Sequence, residues 1–360
     1  METSDEHVLR TLMRHRRLTR AELATEIGIS RPTAGESVRR LAARGLVADT
    51  GERTPGGRGR GRVGSYYALS PTIGVALAVT IAPEGVVAEC VDVYGDVVGR
   101  AARPADPSKV ATAISAAAQQ ARGEDGPPIR LAVVGAADPV DRATGRLVHL
   151  PDAPFLVGEL DPVAILGRFV DGPIIVDNDV NWAALAERDR HGAGDFAYLY
   201  LGEGLGCAIV SDGEVRRGHT GLAGEIAHML TVGPDGRAIR FIELFGELDL
   251  RRERSDGTGA RGDKTAIDVD RLLTSDATTR AALGSAVGGV VAAVIALADP
   301  REVVIGGPWG PALVAEIRAA TERMPRHVPV RAAALDDEPV LAGVRAEAID
   351  RLRALVAAGE

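Results

Sequence analysis

Cysteine is nearly absent from the 360-residue chain, which contains only Cys90 and Cys207. Two cysteines cannot build a disulfide framework or an all-cysteine zinc site. Residues 1–20 carry charges every few positions and lack an apolar core, so they do not resemble a secretory signal. One uncharged stretch, 281–298, is rich in Ala, Gly and Val, and we interpret it as a close-packed internal helix rather than a membrane span. We therefore expect a soluble, cytoplasmic protein with no membrane partner.

Lysine is absent from residues 1–70, yet this segment is basic. It contains 13 Arg against 8 Asp plus Glu, a net charge of +5. Because the whole chain has a net charge of −8, the other 290 residues carry −13. Hydrophobic residues make up 46% of the chain, which is enough for buried cores and excludes general disorder. The asymmetry predicts a domain at 1–70 that faces a polyanion, followed by an acidic body at 71–360.

Three helices are predicted in the basic segment. Residues 5–16 carry apolar side chains at helical spacing. Thr19 is a typical N-cap for a short helix at 20–27, and Ser30 for a third helix that runs to about Arg44. This order of helices is typical of a helix-turn-helix.

Two short strands, at 46–48 and 66–69, flank a turn-rich segment with several arginines, which completes an α+β winged helix-turn-helix domain. In such a domain the third helix lies in the major groove of double-stranded DNA, and glycine-flanked arginines suit phosphates or a narrow minor groove. We predict base contacts from Arg31, Thr33 and Glu36, and largely sequence-independent contacts from Arg39, Arg40, Arg58, Arg60 and Arg62. The alternative is a flexible basic linker after a small helical bundle.

The body shows an order of elements that occurs twice. Strand-like runs followed by a helix and two further strands occupy 75–176, and a similar order restarts at 197. Two such halves predict a duplicated α/β fold with a cleft between two lobes.

Polar residues stand at positions that favour polyol binding. Asn178 and Asp179 lie where a predicted strand ends and a helix begins, and an amide beside a carboxylate can hold a vicinal diol. For Asp179 alone, a helix N-cap is an equally good interpretation. Glu225 and His228 are three residues apart, so on a helix their side chains point the same way, although such pairs are often simple surface pairs.

Six ordered segments of the body resemble the ROK family of repressors, open reading frames and sugar kinases. They are GAADPVD at 135–141, VDNDVNWAALAE at 176–187, GEGLG at 202–206, GHTGLAGEIAH at 218–228, DPREVVIGG at 299–307 and AGV at 342–344. The resemblance implies the two-lobed fold of hexokinase and actin for 71–360, and a dimer or tetramer. The basic domain is similar to that of the family's repressor branch. By position, the resemblance also implies sugar-effector contacts from Asn178, Asp179, Glu225, His228 and Glu243.

The phosphate-binding segments depart from the pattern of the family's kinases. Where these have Asp-Ile-Gly-Gly-Thr-Lys, residues 79–84 read VTIAPE, so that Pro83 lacks an N–H donor and Glu84 repels phosphate. Glu203 places a second anion in the other phosphate loop. Phosphoryl transfer depends on stabilising charge at these positions. We therefore predict no ATP binding, no catalytic residue and no enzyme activity.

The family's zinc-binding segment is also altered. His228 remains, but residues 229–244 contain no cysteine, so we predict no metal and no other cofactor. We expect packing of Ile239, Phe241, Ile242 and Phe245 to hold this loop instead.

Three functions agree with these observations. The leading hypothesis is a DNA-binding transcriptional regulator, a repressor of carbohydrate metabolism genes, that senses a sugar in a degenerate kinase cleft. The second is an active ATP-dependent sugar kinase with an appended DNA-binding domain, in which Asp179 is the general base. The third keeps the DNA-binding domain but treats the cleft as vestigial, leaving the body to oligomerise.

Overall fold

An N-terminal domain, here called the head, precedes the body. The computed structural model describes residues 3–54, 64–104, 109–150, 159–192, 194–252, 266–322 and 324–359. The head's elements, in chain order, are α1 (Ser4–His15), β1 (Arg17–Thr19), α2 (Arg20–Ile27), α3 (Arg31–Ala43), β2 (Val47–Arg53) and β3 (Ser65–Leu69). β3 lies between β1 and β2 and pairs antiparallel with both. The three predicted helices and two predicted strands are confirmed, whereas β1 was not predicted.

Side-chain caps fix the ends of the head's helices. The Thr19 hydroxyl accepts a hydrogen bond from the Glu22 amide at 3.3 Å, and the Ser30 hydroxyl accepts one from the Thr33 amide at 3.2 Å. Both caps satisfy amides that have no partner within their own helix. Leu9, Leu12, Leu23, Val38 and Leu41 are fully buried between the helices. These side chains belong to a hydrophobic core that continues from the head into the body.

The first lobe of the body is built on a five-stranded sheet. Its elements are β4 (Val75–Ala82), β5 (Gly85–Val91), β6 (Val97–Arg103), α4 (Val110–Arg122), β7 (Ile129–Ala136), α5 (Pro162–Leu166), β8 (Ile174–Asn178) and α6 (Asp179–His191). The strand order is β6-β5-β4-β7-β8. β4, β7 and β8 are parallel, whereas β5 and β6 continue the sheet antiparallel.

The second lobe repeats this arrangement. Its elements are β9 (Phe196–Leu201), β10 (Leu205–Ser211), β11 (Glu214–Val215), β12 (Leu230–Val232), β13 (Ala238–Arg240), α7 (Phe241–Glu247), β14 (Arg251–Arg252), β15 (Ala266–Ile267), α8 (Val269–Leu273), α9 (Ala277–Ala298), β16 (Glu302–Gly306), α10 (Val314–Thr321) and β17 (Val330–Ala332). The order β11-β10-β9-β16-β17 has the same pattern of parallel and antiparallel pairs as the first sheet. The predicted duplication is confirmed.

Two long helices complete the body. α9 is long and apolar enough to cross a membrane by length and composition, but Leu283, Val287 and Val291 are fully buried in the core of the second lobe. α11 (Pro339–Ala358) returns to the first lobe, where it packs on α6 and on β4 and β7.

The head is seated on the first lobe. Both terminal nitrogens of Arg16 donate to the Asp96 carboxylate, at 2.6 and 2.8 Å, and the guanidinium lies over the Tyr94 ring. The Tyr94 hydroxyl donates to the Arg16 carbonyl and accepts from the Leu69 amide, both at 3.3 Å. At its last turn, α11 packs against α1, and the carbonyl that follows it accepts a hydrogen bond from Arg44 at the end of α3. One helix thus contacts both the head and α6.

Candidate functional site

A cavity of 330 Å³ lies between the two lobes. The first lobe contributes the ends of β4 and β8, and the second lobe contributes β9, β10 and the segment before residue 226. Polar groups on its wall come from Glu84, Asn178, Asp179, Tyr200, Glu203, Glu225, Arg252 and Asp270. Trp182, which could have filled the cleft, is instead buried beneath α6 and donates its indole N–H to the Val134 carbonyl at 3.0 Å. The predicted cleft is therefore open to a ligand.

Asn178 and Asp179 reach the cavity because β8 ends there. The Asn178 side-chain oxygen accepts from the Val180 amide at 3.0 Å, so Asn178, and not Asp179, is the N-cap of α6. The Asn178 amide nitrogen donates to the carbonyls of Ala136 and Asp138 at 3.4 and 3.3 Å, which ties the carboxyl end of β8 to that of β7. Ligands of open α/β sheets bind at such strand ends. Asp179 is left with its carboxyl group on the cavity wall.

Two carboxyl groups on the cavity wall, those of Asp179 and Glu225, are affected by the charge of a third, Asp138. Asp138 follows β7 and is fully buried, Asp179 begins α6, and Glu225 comes from the second lobe. Burial, together with the neighbouring charges of Asp138, Glu225 and Glu84, raises the pKa of Asp179 to about 8. Burial and the charge of Asp138 raise the pKa of Glu225 to about 7. Sequence reasoning did not single out Asp138, although its place directly after a buried strand is a usable signal.

The raised pKa of Asp179 predicts that the protein loses stability as the pH rises. The unfolded chain releases this proton near pH 4, whereas the folded chain holds it to about pH 8, so the folded state binds more protons between these values. Asp179→Asn should therefore stabilise the protein, by an increment in the free energy of unfolding that grows from pH 5 to pH 8 by at most about 1.4 kcal/mol per pH unit. The apparent melting temperature should rise accordingly. Thermal scans at four pH values measure this.

Asp235 provides the matched control for that experiment. Hydrogen bonds from the Arg237 backbone and side chain lower the pKa of its carboxyl group. Asp235→Asn should give no stabilisation that grows with pH. Equal gains for Asp179→Asn at pH 5 and pH 8 would show that the Asp179 carboxyl is not held protonated by its surroundings.

Glu225 and His228 do not share a helix, so their spacing of three residues does not by itself bring their side chains together. Glu225 precedes a single 3₁₀ turn, Ile226–His228. The backbone at Gly224 has φ +97°, and a Cβ atom there would overlap the Cys207 carbonyl, so β10 holds this segment in an irregular path. Glu225 lines the cavity, whereas His228 does not, and the buried His228 Nε2 has no hydrogen-bond partner among the described residues.

Glu243 also lies away from the cavity wall. It stands in the first turn of α7, where its carboxylate accepts hydrogen bonds from the Arg240 amide at 3.0 Å and from the Arg240 guanidinium at 2.7 Å. The structure thus brings Asn178, Asp179 and Glu225 together, but not His228 and Glu243. The reason is that an acidic side chain at this helical position caps its own helix.

The two segments that depart from the phosphate-binding pattern form a tight turn and an ion pair in the structure. Pro83 and Glu84 form a two-residue turn between β4 and β5, where Ala82 pairs with Gly85. Glu203, between β9 and β10, forms an ion pair with Arg252 of β14. Both segments line the cavity. Here the cavity wall therefore presents the Glu84 carboxylate and an Arg252 guanidinium that is already paired with Glu203.

The segment at the family's zinc position is held by packing, as expected. The hairpin of β12 and β13 rests on α9, where the Thr231 hydroxyl donates to the Ala286 carbonyl at 2.5 Å. Phe241, Ile242 and Phe245 are buried. Within the part of the chain that the structure describes, no group of three His, Cys, Asp or Glu side chains is arranged to hold a metal. The residues present therefore do not fit a zinc ion, and its absence stays a prediction.

The candidate DNA-contacting face lies on α3. Arg31, Glu36 and Arg39 are exposed, and the Thr33 hydroxyl is hydrogen-bonded to that of Ser30 at 2.7 Å. Arg40 was predicted to contact phosphate, but its guanidinium donates to the Asp5 carboxylate of α1 at 2.7 and 3.2 Å. This ion pair joins α3 to α1, and the Arg40 side chain remains 54% exposed, so its phosphate contact stays a prediction. The predicted wing residues Arg58, Arg60 and Arg62 lie outside the described residues.

Gly35 offers a test of this face. Glycine inside a helix is destabilising by about 1 kcal/mol relative to alanine. A Cβ at Gly35 would meet only the Arg20 side chain, at 3.8 Å, so Gly35→Ala should raise the stability of the head by about 1 kcal/mol without weakening DNA binding. Gly28→Ala is the control and should destabilise, because the backbone there has φ +76°. A loss of DNA affinity in Gly35→Ala would show that DNA approaches α3 at this glycine.

Comparisons with known proteins agree with the two-part organisation. Residues 100–240 match the model of the ROK family, and residues 1–48 match a model described as winged helix-turn-helix DNA-binding. A glucokinase of Halalkalibacterium halodurans is 35% identical over 162 residues, which are 38% of this chain and 48% of that protein. A glucokinase of Streptomyces coelicolor is 31% identical over 170 residues, or 46% and 52% of the two chains. The chain thus matches about half the length of these relatives.

Solved structures confirm the predicted fold over a longer range. The ROK family transcriptional regulator that is a homolog of the E. coli MLC protein superposes with a TM-score of 0.63 over 99% of this chain and 98% of that one, at 15% identity. The ROK family glucokinase from Streptomyces griseus, in complex with glucose and AMPPNP, superposes with a TM-score of 0.56 over 77% and 100%, at 23% identity. At these identities the likeness shows the architecture: a hexokinase-like two-lobed body, preceded in the regulator by a DNA-binding head.

Proposed function

We propose that this chain is a cytoplasmic repressor of carbohydrate metabolism genes whose cleft binds a neutral sugar. Its residues 100–240 match the ROK family model, and its residues 1–48 match a winged helix-turn-helix model. The observation that carries the proposal is the composition of one cavity wall. Asn178, Asp179 and Glu225 on this wall can hold hydroxyl groups, whereas Glu203 and Arg252 on the same wall are paired with each other. Sugar binding is thereby favoured over phosphoryl transfer.

The charges in the cavity support a neutral ligand. The charges of Asp138, Glu225 and Glu84 act on Asp179, and the charge of Asp138 acts on Glu225. The only cation on the described cavity wall is Arg252, which Glu203 already neutralises. A sugar phosphate would bring a like charge to these carboxylates. Hydroxyl groups can accept from a protonated carboxyl and donate to an ionised one, so they suit groups with a pKa of 7 to 8.

Regulation requires that the sugar prefer one arrangement of the lobes. A ligand shifts a conformational equilibrium only by its difference in affinity for the two states. Because α11 and the Arg16–Asp96 contact attach the head to the first lobe, a change in the angle between lobes would move the head relative to the second lobe. In a homodimer or tetramer, this would alter the spacing of paired heads on a roughly palindromic operator.

A sugar kinase is the second candidate, and Asp179 specifically favours it. Its carboxyl group is on the cavity wall and has a pKa of about 8, which suits a general base near neutral pH. The glucokinase relatives are consistent with this activity. Against it stand Pro83 and Glu84 in place of a phosphate-binding loop, and the Glu203–Arg252 pair.

One set of experiments separates these functions from each other and from a vestigial cleft. The full chain is screened by thermal shift against glucose, mannose, xylose, N-acetylglucosamine, maltose and sucrose, their available phosphates and ATP, and ADP release is measured in parallel. A repressor with a sensing cleft should be stabilised by at least one neutral sugar, which also changes its affinity for operator DNA, without ADP release. Sugar-dependent ADP release that Asp179→Asn abolishes would establish the kinase. Stabilisation by none of the sugars would favour the third hypothesis, in which the head binds DNA and the cleft is vestigial.

A further inference from the structure

An ion pair behind the cavity connects the two lobes directly beside the candidate sugar site. Arg217 follows β11 of the second lobe, and its Nε donates to the Asp177 carboxylate of β8 at 2.6 Å. Asp177 is 7% exposed and immediately precedes Asn178 and Asp179. We propose that Arg217 and Asp177 are a positioning pair, which sets the distance between the Asn178–Asp179 wall and the Glu225 wall of the sugar cavity.

Asp177 organises the first wall. One carboxylate oxygen accepts a hydrogen bond from the Asn178 backbone N–H at 2.8 Å and another from the Asn181 side-chain amide at 2.7 Å. The other oxygen accepts from Arg217. These bonds fix the backbone at the end of β8 and the first turn of α6. Because Asp179 lies within that turn, the position of its carboxyl group depends on Asp177.

Arg217 organises the second wall. Its carbonyl accepts from the Ala223 amide at 3.2 Å, which closes the loop that carries Gly221, Ala223, Gly224 and Glu225 along the cavity. The same loop touches the first lobe a second time, since the Arg142 amide donates to the Thr220 carbonyl at 2.8 Å. One residue therefore holds the Glu225 loop by its backbone and the Asp179 turn by its side chain.

Burial separates this pair from an ordinary surface ion pair. The Asp177 and Arg217 side chains are 10% and 26% exposed, whereas the neighbouring Arg216 and its partner Asp212 are 52% and 85% exposed. Exposed pairs have little effect on stability, but removing one partner of a buried pair leaves an uncompensated charge. Misplacement of a binding group by about 1 Å is enough to lower its contribution many-fold.

The role rests on the proposed function, so the experiment includes a measurement that needs no sugar. Amide hydrogen exchange of the ligand-free full chain is compared among wild type, Arg217→Ala, Asp177→Asn and the control Arg216→Ala. Arg217→Ala and Asp177→Asn should speed exchange by at least about tenfold in segments 218–225 and 178–181, whereas Arg216→Ala should match wild type. Asp177→Asn keeps an oxygen for the Asn178 amide and loses the charge that faces Arg217, so it remains informative where Arg217→Ala does not fold. Unchanged exchange in both segments would overturn the proposal.

Sugar binding then tests the positioning role itself. Each variant is titrated with glucose and with any other sugar of the panel that stabilises the wild type. Arg217→Ala and Asp177→Asn should raise the sugar Kd at least tenfold without changing operator affinity in the absence of sugar. Glu316→Gln, which breaks a half-buried pair between Glu316 of α10 and Arg280 of α9 inside the second lobe, should lower stability but leave the Kd unchanged. Equal Kd values for wild type and Arg217→Ala would refute the positioning role. If the wild type binds no sugar but the two variants still exchange faster than the wild type, only the sensing function is refuted.

Discussion

Replacing Asp179 or Glu225 with Ala is expected to abolish the effect of sugar on operator binding, while operator binding without sugar stays at the wild-type level. Both carboxyl groups line the cavity, and neither belongs to the head. Leaving a buried polar group without its hydrogen-bond partner costs roughly 1–3 kcal/mol, so losing one partner should weaken sugar binding about tenfold. The response is measured by the fluorescence anisotropy of labelled operator. Protein is present at its wild-type Kd for operator, and sugar is then titrated in.

Glu243→Ala is the matched control for these two variants. It also removes one carboxylate, but Glu243 is bound to Arg240 at the start of α7 and does not line the cavity. We therefore expect it to keep the sugar response. A loss of response in Glu243→Ala as large as that in Asp179→Ala would place the effector contacts on the family pattern and not on the described cavity. Loss of operator binding by Asp179→Ala without sugar would indicate a structural role.

Local sequence signals account for most of the fold. Thr19 and Ser30 cap their helices as predicted, because a side-chain oxygen at the N-cap acts within its own first turn. The strand and helix around Asn178 were also predictable, since a short apolar run followed by polar capping residues marks such a boundary. These features depend on neighbours in the chain, which a sequence displays directly.

The cavity depends on distant partners, and here sequence reasoning failed in part. The spacing of Glu225 and His228 would place both side chains on one face of a helix, but Gly224 packs against β10 and only one 3₁₀ turn forms. Asp138 acts on Asp179 and Glu225 only because β7 and β8 end side by side. Such contacts arise from strand order, which no single segment encodes.

Intramolecular ion pairs are a second feature that the sequence does not display. Arg40 has the exposure and position expected of a phosphate contact, yet Asp5 of α1 binds it. The two residues are far apart in sequence and meet only because α1 packs across α3. A basic residue on a recognition helix therefore predicts a possible DNA contact, but not whether another side chain already holds it.

Removal of the three wing arginines should have the largest effect on DNA binding. Arg58, Arg60 and Arg62 are predicted from sequence to contact phosphates or a minor groove. Each phosphate contact contributes about 0.9 to the slope of log affinity against log salt, so changing all three to Ala should reduce that slope by roughly 2.7. At about 0.1 M salt this corresponds to an affinity loss on the order of 100-fold, for operator and random DNA alike. Titrations at four salt concentrations measure both quantities.

Two comparisons make this last expectation specific to charge and to the wing. The triple change to Lys keeps all three charges, so the salt slope should stay near wild type, and any loss of base preference would report the guanidinium shape. Arg31→Ala, on the exposed start of α3, should instead relax preference at particular base pairs and lower the slope by at most about 1. If the triple Ala variant kept the wild-type salt slope, the wing would not touch the DNA backbone, and the basic segment would be the flexible linker of the alternative interpretation.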